Sequence, residues 1–112
     1  MKRHCLACDL KNDPQLIAEY RRWHEPGGVW PEIIDSLKKS GIKDMEIYLQ
    51  GTRLILILEA EDDFDLAEKF KMDQENPKVV EWEKLMWQYQ SAVPGAPSNQ
   101  KWTPMERVFK LR

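Results

Sequence analysis

Two apolar stretches separated by a three-residue turn lie near the middle of the chain, and they restrict what it can fold into. Met45, Ile47 and Leu49 alternate with Glu46 and Tyr48, which is the period of a half-buried strand. Gln50-Gly51-Thr52 reads as a turn. Leu54–Glu59 (Leu-Ile-Leu-Ile-Leu-Glu) is then a continuous apolar run closed by acidic residues, the signature of a central strand. Together they predict an antiparallel hairpin, and the other strands must come from the two ends of the chain.

The flanks supply them. His4–Leu10 is a short apolar-rich strand that ends at Lys11-Asn12-Asp13. Asp13 is placed as an N-cap with Pro14 in the first helical position, and Leu16, Ile17, Tyr20 and His24 share one face of a helix over about Pro14–His24. Pro26 and the Gly27-Gly28 pair interrupt it. A second helix from Pro31 to about Lys39 is expected to bury Ile33, Ile34 and Leu37, with Gly41 just past its end. After the hairpin, Asp62 or Asp63 is expected to cap a third helix with Phe64, Ala67 and Phe70 apolar. Asn76-Pro77 opens a fourth, whose face carries Trp82, Leu85, Met86 and Tyr89. Pro94, Gly95, Pro97 and Ser98 make the longest loop. Met105–Leu111 is predicted as the closing strand, with Phe109 and Leu111 on one face and Val108 on the other.

Counting each helical pair as one crossover, β-α-α-β-β-α-α-β reduces to the ferredoxin-like β-α-β-β-α-β arrangement. This is an α+β fold, an antiparallel sheet with helices on one face, and residues 1–112 form a single domain. The uncovered face of so small a sheet needs a cover. A second copy of the chain is the simplest one, so a homodimer is expected.

Composition narrows the function classes. A net charge of −2 and a pI near 5.7 give no basic surface for nucleic acid. No apolar run approaches the roughly 18 residues of a membrane span. No secretory leader is recognisable after Met1-Lys2-Arg3, so a cytoplasmic location is expected. Cys5 and Cys8 form a Cys-x-x-Cys, but residues three apart on a strand point to opposite faces, and no second ligand pair follows for zinc. They read as two small buried thiols. With His4 and His24 the only histidines, a multi-histidine metal centre is not available.

Glu19–Glu32, Glu-Tyr-Arg-Arg-Trp-His-Glu-Pro-Gly-Gly-Val-Trp-Pro-Glu, is the stretch that carries chemistry. Tyr20 and His24, four apart, stack on one helix face, and the imidazole falls in the last turn, where it can face a cavity mouth. Histidine titrates near neutrality and can give or take a proton there. The same position also suits a histidine that only caps helix carbonyls. Trp82 is open in the same way between core packing and ligand contact.

At these residues the chain resembles the L-rhamnose mutarotases, small dimeric proteins with a ferredoxin-like α+β barrel that interconvert the α and β anomers of 6-deoxy sugars. The resemblance spans nearly the whole chain. It is carried by Glu19-Tyr20-Arg21-Arg22 with His24, Pro26 and Trp30-Pro31-Glu32, by Ile47-Tyr48-Leu49, and by Trp82 with Lys84 and Met86. It implies a dimeric α/β barrel, a monosaccharide ligand and no cofactor. The family's proton donor falls on His24 and one sugar-binding tyrosine on Tyr20. The family's tryptophan pair is half present, as Trp82-Glu83, and a second sugar-contacting tyrosine falls on Met45. Gly27-Gly28 is an insertion relative to the pattern. The substituted positions touch the sugar, which makes L-fucose as much a candidate substrate as L-rhamnose.

Mutarotation opens the pyranose ring and recloses it on the other face of the aldehyde. His24 is the expected proton donor to the ring oxygen, Tyr20 a hydrogen-bond partner, and Trp82 a cover for the apolar face of the sugar. Glu32, Glu46 and Glu83 are the candidate partner bases, and Trp30 and Trp87 are left between core and pocket rim. Two other readings fit the same architecture: a ferredoxin-like monooxygenase or haem-degrading enzyme, and a non-catalytic metabolite-binding module.

Overall fold

The central hairpin forms where the alternation places it. In the computed structural model, which describes residues 1–97 and 101–111, β2 (Ile42–Gln50) and β3 (Arg53–Ala60) pair antiparallel, from Gln50↔Arg53 out to Ile42↔Ala60. A register shift between Ile42 and Asp44 adds the local bend of a β-bulge. β1 (Lys2–Leu10) pairs antiparallel along the other edge of β3, so β3 is central as its apolar run requires. The sheet order is β2-β3-β1-β4, where β4 (Gln90–Ser91) and β5 (Thr103–Pro104) share the far edge of β1.

Strand alternation separates the two faces. Leu6, Cys8 and Leu10 of β1 and Leu54, Leu56, Leu58 and Ala60 of β3 are buried on one face under the helices. Arg3, Cys5, Ala7 and Asp9 stand on the other, with Ile55, Ile57, Glu59, Asp44, Glu46 and Tyr48. This open face is held partly by charge: Arg3 bonds Glu59 at 2.9 Å and Arg53 pairs with Asp9. Cys8 is buried, and burial pushes its thiol up to about 12. Cys5, expected to be buried too, is only half-buried because it belongs to the open face.

The helices follow their caps. α1 (Pro14–Trp23) begins at Asp13, whose carboxylate accepts from the N–H groups of Gln15 and Leu16, and it ends one residue early, with His24 as C-cap. α2 (Pro31–Lys39) has the predicted bounds, and Gly41 follows it at φ +96. Ile33 is buried, but Ile34 lies on the flank of that helix and is exposed, because Ile33 and Leu37 define its inner line. α4 (Pro77–Met86) starts at Asn76 as expected, its side chain accepting from Lys78 and Val79 N–H.

Two further expectations fail. The cap of α3 (Leu66–Glu75) is Asp65, not Asp62 or Asp63: Asp65 accepts from Ala67 and Glu68, while Asp62 pairs with the N-terminal amine at 2.8 Å. Phe64 is then buried ahead of the helix, where its N–H donates to the Glu61 carbonyl, and Ala67 and Phe70 are exposed. The predicted strand Met105–Leu111 does not form. The Met105 N–H donates to the Cys5 carbonyl at 2.8 Å, and there the chain leaves the edge of β1. Val108, Phe109 and Leu111 belong to no strand, and all three are exposed. Of the long loop, Ser98 lies outside the described residues.

The covered face holds two core clusters. One gathers Leu6, Ile42, Leu56, Leu58, Ala60 and Phe64. The other includes Cys8, Leu10, Leu54, Tyr20, Trp82 and Tyr89, with Trp23 and Trp30 against it. Leu37, Ile47 and Trp102 pack on both.

Candidate active site

The site residues converge at the aromatic end of the covered face, where α1 stops. The spacing of four sets the Tyr20 and His24 rings 4.3 Å apart. Gly27 follows at φ +83, and a Cβ on Gly28 would run into the backbone carbonyl of Trp23. Only a chain without side chains can fold back so tightly over the helix end. That reversal brings Trp30 to 5.1 Å from Trp82, between ring centroids, in an edge-to-face contact. Trp82 also meets Trp23 at 5.8 Å and His24 at 6.1 Å.

Hydrogen bonds fix the orientation of these groups. His24 Nδ1–H donates to the backbone carbonyl of Tyr20 at 2.8 Å. A carbonyl can only accept, so the neutral ring carries its proton on Nδ1 and presents Nε2 as a free lone pair. Burial lowers the imidazole pKa, and the bond to the Tyr20 carbonyl partly opposes this. The neutral form is thus the majority at neutral pH, and the protonated ring is a stronger acid than a free histidine. The Tyr20 hydroxyl accepts from Gln90 Nε2–H at 3.3 Å, and burial pushes the phenol pKa up, so it stays protonated. Trp23 Nε1–H donates to the Tyr89 hydroxyl at 3.1 Å.

The outer side of His24 opens on a cleft of about 620 Å³ shared with Glu25, Pro26, Gly27, Val29, Pro31, Ile34, Asp35 and Lys38. That volume lies in the roughly 300–1,000 Å³ range of small-molecule sites. Among the described residues, no group of three or more His, Cys, Asp or Glu side chains is placed to hold a metal ion.

His24, Tyr20 and Trp82 are in contact, with Trp30 against Trp82; His24 lines the cleft, while Tyr20 and Trp82 are buried behind it in the aromatic core. Met45 is elsewhere: it stands opposite Leu58 and packs on the aliphatic cluster. The Glu83 carboxylate pairs with Lys101, whose ammonium also donates to the Glu83 carbonyl and sits 5.1 Å from the centroid of the Trp87 ring. Of the other carboxylates, Glu46 accepts from the Tyr48 hydroxyl on the open face of the sheet, and Glu32 is exposed in the first turn of α2. Trp23 and Gln90 were missed in the sequence. Trp23 is three residues from Tyr20 and could have been found by helical spacing, but a lone polar residue in a two-residue strand carries no periodic signal.

The sheet and its single helical layer, with an imidazole set among tryptophans and tyrosines, define a ferredoxin-like α+β protein. A family model for L-rhamnose mutarotase matches residues 3–111, and the chain belongs to that family. It is 42% identical over 111 residues to an L-fucose mutarotase of Xanthomonas campestris pv. campestris, covering 99% of this chain and 89% of the relative. It is 32% identical over 95 residues to an L-rhamnose mutarotase of Rhizobium johnstonii, covering 83% and 78%. The crystal structure of an L-rhamnose mutarotase from Formosa agariphila has the same fold, with a TM-score of 0.72 over all of both chains at 19% identity.

Proposed function

We propose that this protein is a carbohydrate isomerase, a mutarotase that interconverts the α and β anomers of a 6-deoxy hexose by acid–base ring opening and closure at His24. The arrangement that carries this reading is the His24 ring packed 4.3 Å from the Tyr20 ring, with Nδ1 tied to the Tyr20 carbonyl and Nε2 free. Opening requires a proton on the ring oxygen and loss of one from the anomeric hydroxyl. His24 Nε2–H gives the first, and the neutral Nε2 takes it back on closure. Glu46 and Glu83 are engaged by Tyr48 and Lys101, and Glu32 does not line the cleft beside His24, so we assign the second proton to solvent. General acid–base catalysis supplies about 10²–10⁴-fold, which suits a reaction already spontaneous in water. Tyr20 binds a sugar hydroxyl and Trp82 covers the apolar face.

Between the two 6-deoxy sugars, the 42% identity to an L-fucose mutarotase favours L-fucose. The test is exchange between anomeric proton signals by saturation-transfer NMR, with and without protein, for L-fucose and for L-rhamnose. Faster exchange with L-fucose supports the assignment. Exchange at the buffer rate with both sugars refutes it.

We further propose that the working form is a homodimer in the cytoplasm. Exposed Val108, Phe109 and Leu111, and Ile55 and Ile57 on the open face, support a second copy as cover. Free Cys5 and Cys8 fit a reducing compartment. Sedimentation giving a monomer at micromolar concentration would refute the dimer.

A further inference from the structure

Among the described residues, the Gln90 side-chain oxygen is buried without a hydrogen-bond partner, on a residue only 2% exposed. The other end of the same amide reaches the site, where Nε2–H donates to the Tyr20 hydroxyl. Strand β4 places it there. Gln90 pairs with Leu10 across the ladder, and Leu10 belongs to the aromatic core cluster, so the glutamine side chain rises on the helix-covered face beside α1. An unpaired amide oxygen buried this deeply costs stability. Its immediate neighbour is the tyrosine assigned to a sugar hydroxyl.

We infer that Gln90 is a positioning residue for sugar recognition, acting through Tyr20. The amide N–H occupies a lone pair of the phenol oxygen, which leaves the phenolic proton for the ligand. Tyr20 thus faces the sugar as a donor, and the Gln90 oxygen stands beside it as an acceptor. A hydroxyl both accepts and donates, so one sugar hydroxyl matches the pair. The inference rests on the mutarotase reading and adds to it the residue that sets the hydrogen-bond polarity of the site.

The experiment compares KM and kcat for anomer exchange in wild type, Gln90→Met, Tyr20→Phe and the double variant. Each single change is expected to raise KM about tenfold with kcat altered less. The double variant is expected to be no worse than about threefold beyond either single one, because both remove the same contact. Gln90→Glu, which retains a polar side chain if Gln90→Met does not fold, is expected to raise KM as well, since the phenol then donates to the carboxylate. Multiplying losses in the double variant, or a wild-type KM in a folded Gln90 variant, would overturn the inference and leave the mutarotase reading intact. A wild-type protein that accelerates neither sugar would bring down both.

Discussion

The two ends of the covered sheet face are built from the same strands and are packed differently. At one end Leu6, Ile42, Leu56, Leu58, Ala60 and Phe64 form a largely aliphatic cluster in which Phe64 is the one buried aromatic member. At the other, Tyr20, Trp82 and Tyr89 are buried with Trp23 and Trp30 against them, and three polar contacts run through the group. Apolar burial needs no orientation, so the first end can hold the fold by area alone. Fixed rings and directed hydrogen bonds specify positions, which binding and proton transfer require. The difference suggests a division in which stability is concentrated at one end and chemistry at the other.

The sharpest break of that division is His24→Ala, expected to lower anomer exchange by about 10²–10⁴-fold, with a loss of stability of only about 1 kcal/mol from the missing hydrogen bond. Denaturant titration beside the NMR exchange assay checks both halves. Leu58→Ala should do the reverse, costing about 2–5 kcal/mol of stability, with unchanged turnover per folded molecule. Equal activity losses in the two variants would mean that the ends are one unit. Trp82→Phe keeps a buried ring but loses the indole, and should raise KM about tenfold (about 1.4 kcal/mol) with little change in kcat. A large fall in kcat at unchanged KM would move Trp82 from binding to catalysis.

The smallest effect is on pH. Because the native His24 pKa is lowered, the unfolded chain takes up this proton first as the pH falls through about 6.5. The contribution is absent above that pH and reduces stability progressively down to the lowered native value. In His24→Gln that segment of the stability–pH profile should flatten. A slope identical to wild type would assign it to other groups.

What could be read beforehand was what local rules decide. The hairpin followed from alternation and a glycine turn, and three of the helix starts from an Asx residue or tryptophan before proline. Tyr20 and His24 met because four residues are one helical turn. The α3 cap was misplaced because Asp62, Asp63 and Asp65 are equally good caps locally, and a distant partner, the N-terminal amine, engages the first. Met105–Leu111 had the pattern of a strand but no edge to join, which alternation cannot reveal. Trp30 against Trp82 depended on a chain reversal, and Gln90 on a register between strands far apart in sequence. The two readings of His24, helix cap and acid–base group, were never exclusive. One ring nitrogen serves the first and leaves the other free for the second.

If the proposed dimer is sealed by the exposed tail from Met105 to Leu111, every copy carries half of a joint. If such a half inserts into another molecule while that molecule's own tail is left over, each addition exposes one more, and assembly has no natural end. If two molecules exchange tails about a twofold axis, both halves are consumed at once and growth stops at a pair. For a joint made by the exposed Val108, Phe109 and Leu111, symmetry would decide between a closed particle and an open fibre.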